Sequence, residues 1–398
     1  MKACAAVALI FLLVFFFHPG PRRNTDYKRT LLQVPSAHSM RTALLTKLAA
    51  VLNVPPSHPT LQSSARIQSA HELFSPPPSP STPRAATGTP SSFSAPCSAI
   101  QFRFLRTLAG HSDAVTGLGV SANGERVISS SQDNSVAVWS VSTGHNLGNF
   151  TNHNNDVNCV ALCPDGTRAV SGGLDKTVRV WSTDTGGEER SLRGHSNWIC
   201  SVAVSPDGRT VASASYDNTV KLWDIDSGHI KAFLTSHSDT VWCAAFSPDG
   251  AVLASGSSDR SIKVWAISKD RTVRLEHTIT SAHGSAVRGL AFTSDGERLV
   301  SGSFDRTVKV WKWRSGEVER VLTGHMDRVR CVAVSPDGHT VLSGSDDKTV
   351  RAWNLCDGSL EQILTGHIYP VSCIVLSCDG KTLVSGSLDK TVKVWRLG

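Results

Sequence analysis

The sequence predicts an all-β protein in which seven copies of a four-stranded unit follow an N-terminal extension that is mostly disordered. Three observations support this. Tryptophan recurs seven times at spacings of 42, 42, 42, 46, 42 and 42 residues. An aspartate lies six residues before each tryptophan, and a histidine lies 22 residues before each aspartate. A register kept through seven copies indicates an internal repeat. The triplets are His111, Asp133 and Trp139; His153, Asp175 and Trp181; His195, Asp217 and Trp223; His237, Asp259 and Trp265; His283, Asp305 and Trp311; His325, Asp347 and Trp353; and His367, Asp389 and Trp395.

The chain begins with a short apolar segment. Residues 3–17 are 15 consecutive apolar residues. A membrane-spanning helix needs about 20, so this length suits the hydrophobic part of a secretory signal. A tilted signal anchor is an alternative, because four basic residues at 22–29 favour a cytosolic location for the following chain. An organelle transit peptide, or a start without a targeting role, are further alternatives. Residues 1–17 are thus interpreted as a signal-like or anchor-like segment, with membrane attachment possible through residues 3–17.

Residues 18–100 are predicted to be a basic linker that is largely disordered. Thirteen of the 18 prolines lie between Pro19 and Pro96, and the last part reads "SPPPSPSTPRAATGTPSSFSAP". Such a composition cannot bury enough apolar surface to offset the entropy lost on ordering. The change in composition near residue 100 predicts that the repeat domain spans residues 102–398.

The positive net charge belongs to the N-terminal extension. The chain carries a net charge of +7, and residues 1–100 hold nine of its 40 Lys and Arg but two of its 33 Asp and Glu. The remaining residues therefore hold 31 of each sign and are neutral. A surface that binds phosphate backbones normally shows a basic excess, so nucleic acid is not the expected partner of the repeat domain.

Each unit contains the residues of four short strands and their turns. After the histidine comes an apolar segment such as "VRCVAVS", then a turn such as "SPDG". Proline sets φ for the first corner of such a turn, and glycine supplies positive φ at its end. A strand such as "TVLSGS", a tight turn at "DKT" and the alternating strand "VKVW" follow, and a second turn leads to a fourth strand such as "EVERVLT".

The last unit lacks its fourth strand. The chain ends three residues after Trp395, whereas "FRFLRTLAGH" precedes the first complete unit. Aligned on its histidine, this segment matches "VERVLTGH" before His325, which is a fourth strand. We therefore expect residues 102–108 to form the outer strand of the last unit and to close the repeat.

These motifs resemble the WD-repeat family of β-propellers. The Gly-His half of the motif stands as "AGH", "RGH" and "TGH" (twice), and a literal Trp-Asp pair occurs once, at Trp223-Asp224. The resemblance covers residues 102–398. It implies a seven-bladed WD-repeat β-propeller, in which four-stranded blades surround a central channel.

The resemblance also implies a buried hydrogen-bonded tetrad in every blade. Its members are the repeated His, Asp and Trp together with a serine, which completes a network in which each buried polar group has a partner. The serine four residues before the aspartate or the one two residues nearer to it are the alternatives. Unit two has Gly173 at the nearer position, which favours the farther one: Ser129, Ser171, Ser213, Ser255, Ser301, Ser343 and Ser385.

The repetition argues against catalysis and metal binding by these residues. Ser, His and Asp form the triad of many hydrolases, but an active site is needed once and not seven times. Each histidine lies on a different blade, so no metal site and no cofactor are predicted. Cys159, Cys243, Cys331 and Cys373 each follow a repeated histidine by six residues within an apolar segment. They are interpreted as buried thiols, which favours a reducing compartment such as the cytosol or nucleus.

Function is expected at positions that vary between blades. The resemblance implies that three positions per blade face the channel mouth: the residue before the turn aspartate, and those three and five after the histidine. The aromatic residues at these positions lie on units three to five and the arginines on units five and six, and such types are common in interface hot spots. The predicted partner-binding residues are Trp198, Tyr216, Trp242, Arg288, Phe304, Arg328, Arg330 and Asp346.

The sequence thus predicts a non-catalytic scaffold or adaptor that binds protein or peptide partners, including ones with acidic or phosphorylated groups, and assembles multiprotein complexes. No small-molecule substrate is expected. An enzyme on a propeller frame and a subunit associated with nucleic acid or chromatin are the alternatives. A salt titration of binding separates the last of these, because phosphate-backbone contacts give a steep dependence on salt.

Overall fold

The computed structural model describes residues 101–268 and 272–398. The signal-like segment predicted at residues 1–17 and the linker predicted at residues 18–100 lie outside the described residues. Within the described ranges the regular elements are all strands. In that part of the chain, no helix is long and apolar enough to cross a membrane.

Twenty-eight strands make up the described part of the chain. In chain order they are β1 (Phe102–Ala109), β2 (Val115–Val120), β3 (Arg126–Ser131), β4 (Val136–Ser140), β5 (Asn146–Phe150), β6 (Val157–Leu162), β7 (Arg168–Gly173), β8 (Thr177–Ser182), β9 (Glu188–Arg193), β10 (Ile199–Val204), β11 (Thr210–Ser215), β12 (Val220–Asp224), β13 (Ile230–Leu234), β14 (Val241–Phe246), β15 (Val252–Ser257), β16 (Ile262–Ile267), β17 (Val273–Ile279), β18 (Val287–Phe292), β19 (Leu299–Ser303), β20 (Val308–Lys312), β21 (Glu317–Leu322), β22 (Val329–Val334), β23 (Thr340–Ser345), β24 (Val350–Asn354), β25 (Leu360–Leu364), β26 (Val371–Leu376), β27 (Thr382–Ser387) and β28 (Thr391–Leu397).

These strands form seven antiparallel sheets of four strands, here called blades I to VII. Blade I contains β2 to β5, and each later blade takes the next four strands, up to β22 to β25 in blade VI. The first strand of each blade contacts the first strand of the next, and β26 contacts β2, so the blades form a closed ring. The prediction of an all-β, seven-bladed propeller is confirmed.

Blade VII takes its strands from both ends of the described chain. Its strand order is β1-β28-β27-β26, with β1 as the outer strand. The antiparallel pairing places Phe102 opposite Leu397 and Ala109 opposite Thr391, with a register shift between Phe104 and Arg106. The ring is therefore closed by hydrogen bonds between strands and not by a covalent connection.

Local sequence explains the strands and their turns. In the third strand of six of the seven blades a Lys or Arg stands between two apolar residues, such as Lys221 between Val220 and Leu222, and this alternation is typical of a pleated sheet. The turn between the first two strands ends on a glycine with positive φ, such as Gly208 at 70°. A second left-handed residue follows each repeated aspartate, such as Asn218 at φ 68°. Asparagine tolerates this conformation because its short polar side chain bonds locally.

The hydrophobic core lies between the blades. Trp223 of blade III packs in one cluster with Val170 and Val178 of blade II and with Ile199 of its own inner strand. All seven repeated tryptophans are buried. Each tryptophan therefore fixes the position of its blade against a neighbour, and the fold depends on the complete ring.

Candidate partner-binding surface at the channel mouth

The repeated residues form the same hydrogen-bonded tetrad in every blade. In blade III, His195 Nδ1 lies 2.7 Å from Asp217 Oδ2, and His195 Nε2 lies 2.7 Å from Ser213 Oγ. The indole Nε1 of Trp223 donates to the same hydroxyl at 2.8 Å. In the other six blades the equivalent bonds measure 2.7–3.0 Å. The participating serine is the one four residues before the aspartate.

Three further donors hold the tetrad aspartate. The hydroxyl and the backbone N–H of Thr219 donate to Asp217 Oδ1 at 2.6 and 3.1 Å, and the backbone N–H of Ser196 donates to Oδ2 at 3.0 Å. Every unit has Ser or Thr two residues after the aspartate. This repeated hydroxyl was missed in the sequence interpretation, although its constant spacing is a clear signal. The serine nearer to the aspartate has another role, because Ser215 Oγ accepts the backbone N–H of Asp217.

These bonds keep the carboxylate ionised. Burial acts to raise the pKa of Asp217, but hydrogen bonds from His195 and Thr219 outweigh it, so the pKa lies well below the usual range. The same balance lowers the pKa of the other six tetrad aspartates. Burial lowers the pKa of His283 and His367, partly offset by their aspartates. The tetrads therefore hold ionised carboxylates, and their hydrogen bonds stabilise the blades.

The four repeated cysteines lie within the sheets. Cys159 and Cys243 are buried, and Cys331 and Cys373 are half-buried. Burial raises the pKa of all four thiols, and those of Cys243 and Cys373 reach about 12. All eight described cysteines are free thiols. In the described ranges, no cluster of three or more His, Cys, Asp or Glu has the geometry to hold a metal ion.

In every blade a β-bulge lies at the position five residues after the histidine. In blade I, Val115 pairs with Ser131 and Gly117 pairs with Ser130, so Thr116 is an extra residue in the inner strand. The same shift occurs in all seven inner strands. A bulge re-aims its extra side chain, which explains why this position is free to vary between blades. The bulged residues are Thr116, Asn158, Cys200, Trp242, Arg288, Arg330 and Ser372.

The bulged residues of blades VII, I and II bind the neighbouring blade. Ser372 Oγ donates to the carbonyl of Val115 at 2.5 Å. Thr116 Oγ1 donates to the carbonyl of Val157, also at 2.5 Å. Asn158 Nδ2 donates to the carbonyl of Ile199 at 2.9 Å. These three side chains, here called the inter-blade pins, are used for contacts within the ring.

The bulged residues of blades IV, V and VI belong instead to a continuous row of predicted partner-binding residues. The row lies at the end of the ring that carries the histidine loops and the aspartate turns, since in an antiparallel blade both connections lie at the same end. We call this end the channel mouth. The mouth row consists of Trp198, Tyr216, Trp242, Arg288, Phe304, Arg328, Arg330 and Asp346.

The row begins with three aromatic rings in edge-to-face contact. The ring of Tyr216 lies 5.2 Å from that of Trp198 on one side and 5.2 Å from that of Trp242 on the other. Trp198 is 42% exposed and Tyr216 is 38% exposed. Trp242 is half-buried, and its Nε1 donates to Ser258 Oγ at 2.6 Å. Such ring contacts add about 0.5–1.5 kcal/mol each beyond area burial, so the aromatic surface is held in shape before a ligand arrives.

The row continues with arginines around one aromatic ring. The Arg288 guanidinium carbon lies 3.7 Å from the ring centroid of Trp242 and 5.0 Å from that of Phe304. Arg328 lies 5.0 Å and Arg330 lies 5.8 Å from the Phe304 centroid. Asp346 forms an ion pair with Arg330 through Nε and, at 3.2 Å, through Nη2. The structure thus brings all eight residues into one chain of contacts over blades III to VI.

Exposed apolar side chains on blades VI and VII extend this surface. Met326 is 75% exposed, Ile368 is 68% exposed and Tyr369 is 56% exposed. They lie directly after His325 and His367, where other blades have Ser, Asn, Asp or Gly. The sequence interpretation missed them because it considered three positions per blade. Their departure from the polar residues of the other loops is the signal that identifies them.

Comparisons with known proteins agree with the geometry. The family model described as "WD domain, G-beta repeat" matches more than half of the chain. A search of curated proteins found no match. The matched segments are residues 102–140, 144–182, 186–224, 228–266, 273–312, 316–354 and 358–396. Each segment starts with the fourth strand of one blade and continues with the first three strands of the next.

Proposed function

The chain belongs to the WD40-repeat family, and we propose that it is a non-catalytic scaffold or adaptor that binds protein or peptide partners through the mouth row. Propellers of this family generally serve as protein-interaction scaffolds and are typically non-catalytic. The further proposal is that partners bind at the channel mouth over blades III to VI and are thereby brought into multiprotein complexes.

One observation carries the proposal: the aromatic and arginine residues of four consecutive blades form an unbroken, partly exposed row. Tryptophan, tyrosine and arginine are the residue types that dominate binding energy at protein interfaces. The large rings of Trp198 and Tyr216 remain accessible to a partner. The tetrads, in contrast, are satisfied within each blade and offer no free group to a ligand.

The chemistry of the row favours a partner with apolar anchors and acidic groups. Three arginines lie around Phe304, and Asp346 pairs with one of them, so this part of the mouth is positively charged. Carboxylates and phosphates pair well with guanidinium groups, especially when two parallel hydrogen bonds form. Apolar side chains of the same partner would contact Trp198 and Tyr216 on one side, and Met326 and Ile368 on the other.

The test is a selection of peptides of about ten residues, displayed on phage, against the immobilised full-length protein, followed by titration of the tightest binder. We expect the double variant Trp198→Ala/Tyr216→Ala to weaken binding about tenfold or more, because two exposed hot-spot residues are removed. Since both side chains are partly exposed, the melting temperature should change little.

Phe233→Ala is the matched control, because Phe233 is an exposed aromatic residue on the outer strand β13 and not at the channel mouth. It should leave binding unchanged. If the mouth variant binds as tightly as the wild type, the proposed surface is wrong. A steep fall in binding with added salt, together with capture of DNA or RNA, would favour the nucleic-acid alternative instead.

The role of residues 3–17 as a secretory signal or membrane anchor remains a prediction. Expression of the full-length protein with a fluorescent C-terminal label, with and without residues 1–24, tests it. Membrane association that depends on these residues would support the anchor.

A further inference from the structure

Arg288 occupies an unusual position for an arginine. It is the bulged residue of β18 and lies between the rings of Trp242 and Phe304. Among the described residues it has no ion pair with a carboxylate, and its buried Nε has no hydrogen-bond partner. An unpaired charge in a half-buried place is costly, and native proteins normally pair it. A partner that supplies an anion would remove this cost.

Among the described residues, Asp346 is a carboxylate that attracts Arg288, but its ion pair is with Arg330. Burial and the nearby Arg330 lower the pKa of Arg288 to about 10, which still leaves the group protonated at neutral pH. Arg328 is exposed, stacks on Phe304 and likewise has no carboxylate partner among residues 101–268 and 272–398. Two of the three arginines around Phe304 are therefore unpaired.

Stacking leaves the hydrogen-bonding edge of a guanidinium available. The rings of Trp242 and Phe304 pack near Arg288, whereas its N–H groups lie in the guanidinium plane. A carboxylate or phosphate accepts two such bonds at once, and stacking holds the donor in place before the ligand binds. The geometry is thus that of a positioned anion receptor.

Another arginine shows what the paired arrangement looks like in this chain. Arg314 stacks on Trp313 at 4.4 Å, much as Arg288 stacks on Trp242. Its Nη1 donates to Glu297 at 2.8 Å, so its charge is neutralised. The contrast indicates that the unpaired state of Arg288 does not follow from stacking itself.

The third arginine, Arg330, already forms an ion pair with Asp346. The Asp346 side chain is 9% exposed and accepts two hydrogen bonds from Arg330. It stands where blade IV has Ser258. An internal carboxylate at this position satisfies Arg330 and lowers the positive charge available to a ligand.

We propose that Arg288 and Arg328 receive a carboxylate or phosphate group of the bound peptide, while Asp346 acts as an internal competitor that withholds Arg330. The proposal rests on the proposed function, since it specifies the ligand of the mouth row. The proposal places the anionic group of the partner at blades V and VI. The apolar anchors of the partner lie farther along the row, at blade III.

The experiment uses the full-length protein and the tightest displayed peptide that contains Asp or Glu. This peptide, its amide twin with Gln or Asn, and a twin with phosphoserine are titrated by fluorescence anisotropy against three variants. Arg288→Gln removes one of the two receptor arginines, Asp346→Asn removes the internal competitor, and Arg314→Gln is the control for loss of a stacked arginine elsewhere.

We expect the acidic peptide to bind wild-type protein and Arg314→Gln about tenfold more tightly than its amide twin. Arg288→Gln should show a clearly smaller preference for the acidic peptide over its amide twin, because Arg328 alone remains to receive the anion. Asp346→Asn should bind the acidic peptide several-fold more tightly and the amide twin unchanged, a gain that misfolding cannot produce. Tighter binding of the phosphoserine twin than of the acidic peptide identifies a phosphate as the group received, and weaker binding identifies a carboxylate.

Three results would overturn the inference. They are a selection that yields no preference for acidic peptides, an undiminished preference in Arg288→Gln, or no gain in Asp346→Asn. If peptides without acidic residues bind wild type and are lost in Trp198→Ala/Tyr216→Ala, the scaffold proposal stands and the anion receptor is rejected. If no peptide binds wild type, both are rejected.

Discussion

Two parts of the ring use the same structural position in different ways. In blades VII, I and II the bulged side chain is Ser372, Thr116 or Asn158, and each donates to a carbonyl of the next blade. In blades IV to VI the bulged side chain is Trp242, Arg288 or Arg330, and it belongs to the mouth row. Cys200 of blade III makes a long contact to the carbonyl of Trp198, at 4.0 Å.

The comparison shows that the repeated β-bulge has different roles in different blades. The bulge leaves one side chain per blade outside the ladder, and its residue type decides whether it bonds to the next blade or belongs to the mouth row. The pins lie on both sides of the junction between blades VII and I, and blade VII is the blade that closes the ring through hydrogen bonds between β1 and β28. Blades III to VI lie farther along the ring and lack them.

The largest expected effect comes from removing β1, the strand that completes blade VII next to the inter-blade pins. Deletion of residues 101–109 removes β1, which buries Phe102 against Trp395 and Leu108 against Trp139. It also leaves β28 as an open edge strand, which favours aggregation. We expect loss of cooperative thermal unfolding, measured by circular dichroism. Deletion of residues 1–95 is the control and should leave the transition within a few degrees. Equal stability of the two truncations would show that the pins hold blade VII without β1.

Acid should affect both parts of the ring together, since all seven blades share the tetrad. The lowered pKa of the tetrad aspartates contributes stability that is lost as pH falls below about 5, because the unfolded chain then binds more protons. The lowered pKa of His283 and His367 adds a loss that starts below about pH 6.5. Calorimetry at constant ionic strength should show one transition whose midpoint falls steadily from about pH 7 to about pH 4. Two separate transitions would mean that the blades with an inter-blade pin and the blades without one unfold independently.

The smallest effect isolates a single pin. Asn158→Ala removes the bond to Ile199, and we expect a loss of about 1 kcal/mol in the free energy of unfolding by urea denaturation. Cys200→Ala, at the same position of the next blade, should cost less. Neither change should alter peptide binding, because neither residue belongs to the mouth row. If Cys200→Ala lowers the free energy of unfolding as much as Asn158→Ala or more, the distinction between blades with and without an inter-blade pin is wrong.

Much of the frame was predictable because it depends on local, repeated features. The constant spacing of His195, Asp217 and Trp223 and of their copies predicts seven units, and period-two alternation with turn residues predicts the strands. The bulge has a local signal as well. Val329 and Val332 are both apolar although they are three residues apart, which shows that the alternation shifts by one at Arg330.

The contacts between blades were not predictable in the same way. Whether Arg288 stacks on Trp242 depends on the angle between neighbouring sheets, which no single unit encodes. The same holds for the bond from Thr116 to Val157. The sequence interpretation placed Thr116 and Arg330 in one class, because only the three-dimensional distance to the next blade separates a pin from a residue of the mouth row.

The pairing of β1 with β28 has a mechanical consequence. Phe102 lies opposite Leu397, and the backbone N–H of Gly398 donates to the carbonyl of Gln101 at 2.9 Å, so both strands leave the sheet at the same corner. Tension applied through the two flanking ends would load these hydrogen bonds one after another and not all at once. Such peeling needs less force than sliding whole strands past each other. Traction on residue 101 from the N-terminal side would therefore open blade VII first, while a load on the mouth row would be shared by four blades.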